Sequence, residues 1–504
     1  MNKSFIIVVG ILALLIAGSI WGLRESARKN SSMTQNSVGE EKQQKPLVVF
    51  CAAASRAAME EIVNRYRAEF NREVQVEYGS SQVLLNRVEL ASDGDLYIPS
   101  DSSFLDLAAE KKLVAERIPI AAMKAVVAVA KGNPNEISSM EHLTNGSNRL
   151  VQANPDAAAI GKATRVELTK LNLWEPLKKK TTAFRGTVTD VANDVKLAAA
   201  DAGIVFDAVL ATYPQLEAVE LPELKNVVGT VEVGVLSTVK DSQAALHLAR
   251  YITAKDRGLE SFSKLGFKTM PGDQWADRPQ LDLFAGSMLR PAIEETLKRF
   301  QDREGVSINT VYNGCGILVT QMKTGQRPDA YFACDVEFMK QVADLFPEPV
   351  EVSQNELVIL VQKGNPHKIA ALKDLTREGL RVGIGHEKKC AMGWITQVTL
   401  KEGGVQQEVM KNVTVESPTG DLLVNHMRAG SLDAAVVYLS NAAGAAEVLE
   451  AIAIQGLPCS TAIQPWAVYK ESKYPQTASR LFHAIVSPEG RADFEAEGFG
   501  WQLK

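Results

Sequence analysis

Histidine is scarce in this chain, with six residues among 504, and little of the usual catalytic equipment surrounds it. There is no Ser-His-Asp set, no Walker phosphate loop and no pair of carboxylates in an acid–base context. The expectation is a protein that is not an enzyme and needs no cofactor. The five cysteines, at positions 51, 315, 334, 390 and 459, form no C-x-x-C pair and no zinc-finger spacing. Their odd number leaves at least one thiol unpaired in an exported chain. Basic clusters are also missing: 55 Lys and Arg against 60 Asp and Glu give a net charge of −5, which argues against nucleic acid as a partner.

What the chain does have is a repetition. A segment starting at Leu47 and another starting at Leu281 run through the same landmarks in the same order. LVVFCAAASRAAMEEI answers LDLFAGSMLRPAIEET, and GDLYIPSD, with Asp95 and Asp101, answers PDAYFACD, with Asp329 and Asp335. KGNP at Lys131 to Pro134 recurs at Lys363 to Pro366, and AGIVFDA around Phe206 answers AAVVYLS around Tyr438. The offset is 234 residues at the first two landmarks and 232 at the last two. A period that long is too large for a solenoid repeat and about right for a whole domain. It also supplies the two or more cores that a chain of 504 residues requires.

Ahead of the repeats, Phe5 to Leu23 is an uncharged apolar run of 19 residues, close to the roughly 20 needed to cross a bilayer core. The run continues through Ile20, Trp21 and Gly22 with no small-residue cleavage site after it, which favours a retained anchor over a cleaved signal peptide. No cysteine follows it directly, so a lipid anchor is not expected. Residues 1–23 are therefore expected to hold a transmembrane signal anchor or signal peptide. Residues 24–46, rich in Ser, Gln, Asn, Lys and Glu, read as a flexible tether, and the two domains as 47–270 and 281–504.

Within each repeat, short β-rich runs alternate with amphipathic helical stretches, the pattern of open, largely parallel α/β sheets. LVVF leads to a helix at about 57–70, then VQVEY, a helix from about 82, and LYIP. The second copy repeats the series, with Pro291 in the favoured first turn of its helix. Each copy reads as two α/β lobes, and the cleft between them is the default ligand site.

The series of AAAS after the first strand, GSS after the second, a D-x-Y-x-x-x-D segment, KGNP and a late strand ending near Tyr or Phe resembles the periplasmic molybdate/tungstate-binding proteins of ABC transporters. The resemblance spans each repeat nearly end to end. It implies two tandem type II (Venus-flytrap) solute-binding domains behind the N-terminal helix, in the periplasm and tethered to the inner membrane. It also implies a small inorganic oxyanion as ligand and an inner-membrane ABC permease as partner.

A tetrahedral dianion needs neutral donors converging at helix N-termini. Ser55, Ser80 and Ser81 stand at such positions in the first copy and match the two serine loops of the resembled family. Each could equally cap its own helix. The family's main-chain donor falls in the loop Asp156 to Gly161, at Ala158, and in Lys388 to Gly393, at Cys390. Its tyrosine is Tyr438 in the second copy, whereas Phe206 has lost the hydroxyl. The second copy offers Ser287 at the first loop, but Cys315 stands at its second loop in a serine's place. Asp101 and Asp335 are expected to cap the following helices, and Arg56, Lys388 and Lys389 to face solvent.

Cys315, Cys334 and Cys390 each follow an expected strand of the second copy, at loops that face one cleft. Either they are small buried residues, or two of them form a disulfide in an oxidising compartment, or they make a soft-metal or thiol site joined by His386 or Met392. The last possibility supports an alternative function: a membrane-tethered sensor or interaction protein whose cysteine-lined second cleft binds a transition metal.

Overall fold

The structure, a computed structural model of the chain, describes residues 45–90 and 93–503. The expected membrane-crossing segment at residues 1–23 and nearly all of the tether lie outside the described residues. Among the described residues, no helix is long and apolar enough to cross a membrane.

The first copy contains strands β1 (Leu47–Ala52), β2 (Val74–Gly79), β3 (Leu96–Ile98), β4 (Val114–Ala130), β5 (Leu150–Ala153), β6 (Thr181–Arg185), β7 (Ala202–Phe206), β8 (Leu216–Val219), β9 (Val228–Leu236) and β10 (Lys268–Thr269). The second contains β11 (Gln280–Gly286), β12 (Ser307–Asn313), β13 (Ala330–Phe332), β14 (Val350–Gln362), β15 (Val382–Gly385), β16 (Val413–Ser417), β17 (Ala434–Tyr438), β18 (Leu449–Ala453), β19 (Thr461–Val468) and β20 (Gly500–Trp501). The strand orders are β2-β1-β3-β9-β4-β7-β5-β6 and β12-β11-β13-β19-β14-β17-β15-β16. The second order is the first with every strand replaced by its repeat counterpart, so the duplication seen in sequence is a duplication of topology.

The sheets are mixed, which corrects the expectation of largely parallel ones. β1 runs parallel to β2 and β3, and β5 parallel to β6 and β7, but β4 is antiparallel to β9, β7 and β8. The cause is the two-lobed design. β4 carries the chain from one lobe to the other, pairing with β9 over Val114–Lys124 and with β7 over Ala125–Val129. The return strand β9 must run the opposite way. β14 plays the same part against β19 and β17.

Local chemistry explains the element ends. The helix Arg56–Phe70 stops at Asn71, which adopts φ 48°, and its counterpart Arg290–Glu304 stops at Gly305, with φ 67°. Both are left-handed C-terminal caps, a conformation that Gly and Asn tolerate best. The repeated KGNP closes the crossing strand in each copy. Asn133 exchanges side-chain hydrogen bonds with the backbone of Ile137, at 2.9 and 3.0 Å, and Asn365 does the same with Ile369 at 2.7 and 2.9 Å. KGNP is thus a turn device and no part of a ligand site.

The copies meet through their first lobes. Helix Ser242–Thr253 lies against helix Arg290–Glu304, and the connecting segment places Asp273 over the start of helix Pro475–Ile485. The Asp273 carboxylate there accepts hydrogen bonds from the backbone N–H groups of Gln476 and Thr477 at 2.7 and 3.0 Å. Beside it, Glu304, with no exposed surface, accepts from Arg480 at 3.2 and 2.8 Å. Arg250 and Arg303 approach the same carboxylate, and Arg303 also donates to Glu116 of the first copy.

Candidate ligand sites between the lobes

In the first copy, Ala52, Ala53, Ala54, Gly79, Ser80, Ser81, Ser100, Ala158, Ala159, Ile160, Thr187 and Val188 enclose a cavity between the lobes. It has about 10 Å³ of room for the centre of a water-sized body, about what a single water needs. None of these side chains is charged. They come from the strand-to-helix turn after β1, the turn after β3 that carries Ser100, and the starts of three helices, Ser81–Leu90, Ala159–Lys170 and Val188–Lys196. The first backbone N–H groups of a helix have no partner within it, and the aligned peptide dipoles place partial positive charge there. The cavity is therefore electropositive without a cation.

The structure sorts the expected site residues. Ser80 and Ser81 line the cavity, 6% and 1% exposed. Ser81 is paired with Ser100, their hydroxyls 3.1 Å apart, and also accepts from the Ser100 backbone N–H at 3.2 Å. Ala158 lines the cavity, but its own N–H is already donated to the Asn154 carbonyl at 2.8 Å. The open donors of that loop are the N–H groups beyond it, at Ala159 and Ile160 in the helix's first turn. Gly161 lets this turn approach β5 closely, since a Cβ there would sit 2.4 Å from the Ala153 carbonyl oxygen.

Ser55 is not among the residues around the cavity. It is fully buried beneath the start of helix Arg56–Phe70, makes no capping bond, and its hydroxyl has no hydrogen-bond partner among the described residues. Arg56 stacks over the Tyr78 ring at 4.3 Å and pairs with Glu60 at 3.8 Å. Ser100 and Thr187 were missed by the sequence reading. Ser100 lies inside the repeated IPSD segment, just before Asp101, and Thr187 heads a T-x-x-D capping box closed by Asp190. Those two local patterns were the available signals. Asp335 caps the helix after it, accepting from the Glu337 N–H at 2.9 Å, whereas Asp101 stands one residue before the N-cap Ser102 and accepts from the Ser103 N–H at 3.1 Å.

The lobes of the first copy are in contact across this cavity. Gln82 N–H donates to the Ala157 carbonyl at 3.1 Å, and the Lys162 ammonium lies 4.9 Å from the centre of the Phe104 ring. In the second copy the approach is closer. A Cβ on Gly314 would lie 2.3 Å from the Lys389 carbonyl oxygen, and one on Gly316 2.0 Å from that of Lys388.

Equivalent positions in the second copy carry different chemistry. Cys315 opens helix Cys315–Lys323 where Ser81 opens its own, Cys334 follows β13 where Ser100 follows β3, and the two cysteines form a disulfide. Ser287 is half-buried and occupies the position of Ala53, so it is no counterpart of Ser55. Cys390 is buried, its N–H is taken by the His386 carbonyl at 3.0 Å, and burial pushes its thiol up to about 11. Tyr438, at the end of β17, is 2% exposed with an unpartnered hydroxyl, and burial, with Asp335 and Cys390 nearby, raises that hydroxyl far above its usual range.

The disulfide overturns the soft-metal arrangement. Two of its three thiols are bonded to each other, and among the described residues no group of three or more His, Cys, Asp or Glu could hold a metal ion. Cys51 is fully buried in the first core.

The profile of the bacterial extracellular solute-binding protein family matches the chain twice, over residues 47–268 and 281–500. The chain belongs to that family. Among individual relatives of this solute-binding protein, the molybdate-binding protein ModA of Mycobacterium tuberculosis is 27% identical over 221 residues. That match covers 43% of this chain and 83% of the relative. Among solved structures, the periplasmic molybdate-binding protein of Azotobacter vinelandii is 16% identical with a TM-score of 0.40, covering 45% of this chain and 99% of that one. The sulfate-binding protein SubI of M. tuberculosis is 15% identical with a TM-score of 0.39, covering 44% and 86%. Two solute-binding units in one chain therefore carry two interlobe clefts with unlike walls.

Proposed function

We propose that this solute-binding protein captures a tetrahedral oxyanion of the molybdate or tungstate kind outside the cytoplasm and hands it to an ABC permease. The observation that carries this reading is the first-copy cavity, where helix starts and serine hydroxyls converge with no charged side chain among them. Such a wall favours a compact anion, because N–H and O–H donors replace its water shell while partial positive charge compensates it. A cavity this small admits no organic substrate of ordinary size. The likeness to a molybdate-binding relative adds to the reading.

Capture would proceed by hinge closure. The crossing strands β4 and β9 join the lobes, and their flexing would bring Ala157 onto the helix start at Gln82, sealing the anion from water. On this reading residues 1–23 anchor the protein to the cytoplasmic membrane, residues 24–46 form the tether, and 47–270 and 281–504 are the two binding domains. Permease delivery then takes place at the membrane face.

Thermal unfolding of the full chain in mild detergent, with molybdate, tungstate or sulfate, tests the proposal. A ligand at a hundred times its Kd stabilises the folded state by about 2.7 kcal/mol, which reads as a rise of a few degrees. Molybdate and tungstate are expected to produce it. The absence of a shift with all three anions sinks the reading.

A further inference from the structure

We propose that the Cys315–Cys334 disulfide is a redox switch of the second cleft, holding its oxyanion site weak when oxidised and strengthening it when reduced. The inference rests on the oxyanion reading above and concerns the site's regulation.

Register gives the first argument. In the first copy Ser81 and Ser100 place two hydroxyls on the cavity wall, and Ser81 accepts from the N–H of Ser100. Cys315 and Cys334 stand at those two positions, and the N–H of Cys334 is 3.0 Å from Cys315 Sγ. The backbone arrangement is kept while the donors are changed. A disulfide has no proton to donate; two thiols have two. Oxidation thus deletes the pair of donors that the first copy supplies at this place, and reduction restores it.

The surroundings are adapted to the sulfur pair. Gly286 stands where the first copy has Ala52, and a Cβ on it would lie 2.4 Å from Cys334 Sγ and 3.3 Å from Cys315 Sγ. Loss of that methyl makes room for the larger atoms. The crossing strand β14 and the end of β17 also carry polar residues where the first copy has apolar ones. Asn355, Tyr438 and Ser440 replace Met123, Phe206 and Ala208 of the first copy, as the pairings of Leu357 with Tyr438 and Ala125 with Phe206 establish. All three are buried and each has a polar side-chain atom without a partner among the described residues. Three unsatisfied polar groups are costly to bury, and a bound anion would give the donors among them a partner. The second copy therefore buries unpartnered polar groups near the lobe crossing as well as an oxidisable cysteine pair.

Access couples the switch to closure. Cys315 is fully buried and Cys334 is 4% exposed, and the helix start that bears Cys315 is pressed against the Lys388–Lys389 backbone of the other lobe. A reductant reaches the sulfurs only when the lobes part. The reaction partner is a dithiol. Its thiolate attacks one sulfur, the Cys315–Cys334 bond breaks as a mixed disulfide forms, and its second thiol closes its own disulfide; two electrons and two protons end on Cys315 and Cys334. Cys390, whose thiol burial keeps protonated, takes no part.

The experiment is calorimetric titration of the full chain with molybdate in three forms: oxidised, reduced with dithiothreitol, and the C315S/C334S double variant. A Ser81→Ala background silences the first site, so that the second is read alone. The expected result is weak binding in the oxidised form, at least tenfold tighter binding after reduction, and tight binding by the serine variant with or without reductant. Second-site affinity that agrees within twofold in all three forms, while the first site of the parent chain, with Ser81 intact, binds molybdate normally, overturns the switch alone. No heat at either site in any form overturns the oxyanion reading and the switch with it. Mass spectrometry of thiols alkylated after a short dithiothreitol pulse adds a second reading. Reduction should slow several-fold in saturating molybdate, and an unchanged rate speaks against coupling to closure.

Discussion

Ser81 and Cys315 occupy one register position and differ by a single atom, oxygen against sulfur, yet they give the two clefts different chemistry. The Ser81 hydroxyl is 1% exposed and faces a cavity with no charged group, so a bound anion would receive a charge-assisted hydrogen bond from it. Bonds of that kind contribute about 1.5 to 3 kcal/mol, so Ser81→Ala is expected to weaken molybdate binding at the first site roughly 10- to 100-fold. Ser55→Ala should change it by less than twofold, because Ser55 lies outside the cavity. Calorimetry on the two variants checks both, and equal losses would show that the cavity is not the site. Ser80 and Ser81 were legible as candidates because two serines stand together at a helix start that follows a strand, although a capping role fits that place as well. Ser100 and Thr187 were not, since each serves a local turn or cap as well, and only the fold brings five separate segments together. Ser55 is carried under the helix by the short turn Ala53–Ser55 between strand and helix, a placement that spacing alone does not reveal.

At the scale of elements, the strands and helices of each copy were readable because period-2 and period-3.6 patterns alternate cleanly and the chain states them twice. The direction of β4 and β9 was not readable. Apolar runs look alike whichever way their neighbours run, and only the need to cross between lobes decides. The KGNP turn at the end of β4 makes its own prediction. Asn133 holds φ 41° and two hydrogen bonds to Ile137. Asn133→Ala loses both bonds and places a Cβ-bearing residue with no side-chain acceptor in the left-handed region, a cost of about 2 to 3 kcal/mol in all. Denaturant unfolding should show it, and Asn133→Gly, which relieves the backbone, should lose less. The helix start at Cys315 gives another. A Cβ on Gly316 would meet the Lys388 carbonyl oxygen at 2.0 Å, so Gly316→Ala should hold the second cleft open. Reduction of its disulfide by dithiothreitol should then be faster than in the parent chain, with molybdate binding at the first site unaltered.

At the scale of the whole molecule, buried charges gather where the two copies meet, and this makes stability depend on pH in a definite direction. Burial would raise the Glu304 carboxyl, but Arg480, Arg250 and Arg303 outweigh it and hold it down at about 2. Burial and the nearby Glu304 carboxylate push Glu116 up to about 7, against the pull of Arg480 and Arg303. Asp273, itself raised by burial, faces the same cluster through Arg480. The two glutamates therefore act in opposite senses. Glu304, depressed below its ordinary 4.5, contributes stability that is present above that value and lost as pH falls towards 2. Glu116, raised above the same value, contributes stability that is full below pH 4.5 and lost as pH rises towards 7. Their sum places the firmest junction near pH 5 and weakens it towards neutrality. Glu116→Gln removes only the second dependence. Unfolding measured at pH 5, 6, 7 and 8 should show the parent chain losing on the order of 2 kcal/mol relative to this variant across the range, and parallel curves would clear Glu116 of the effect. Glu304→Gln tests the opposite partner. It leaves Arg250 and Arg480 buried without their shared counter-charge, and breaking a buried pair from one side costs about 3 to 5 kcal/mol. If Glu304 instead contributes little, the variant should melt with the parent chain, and the orientation of the two binding units must then rest on the Asp273 cap and the packed helices alone.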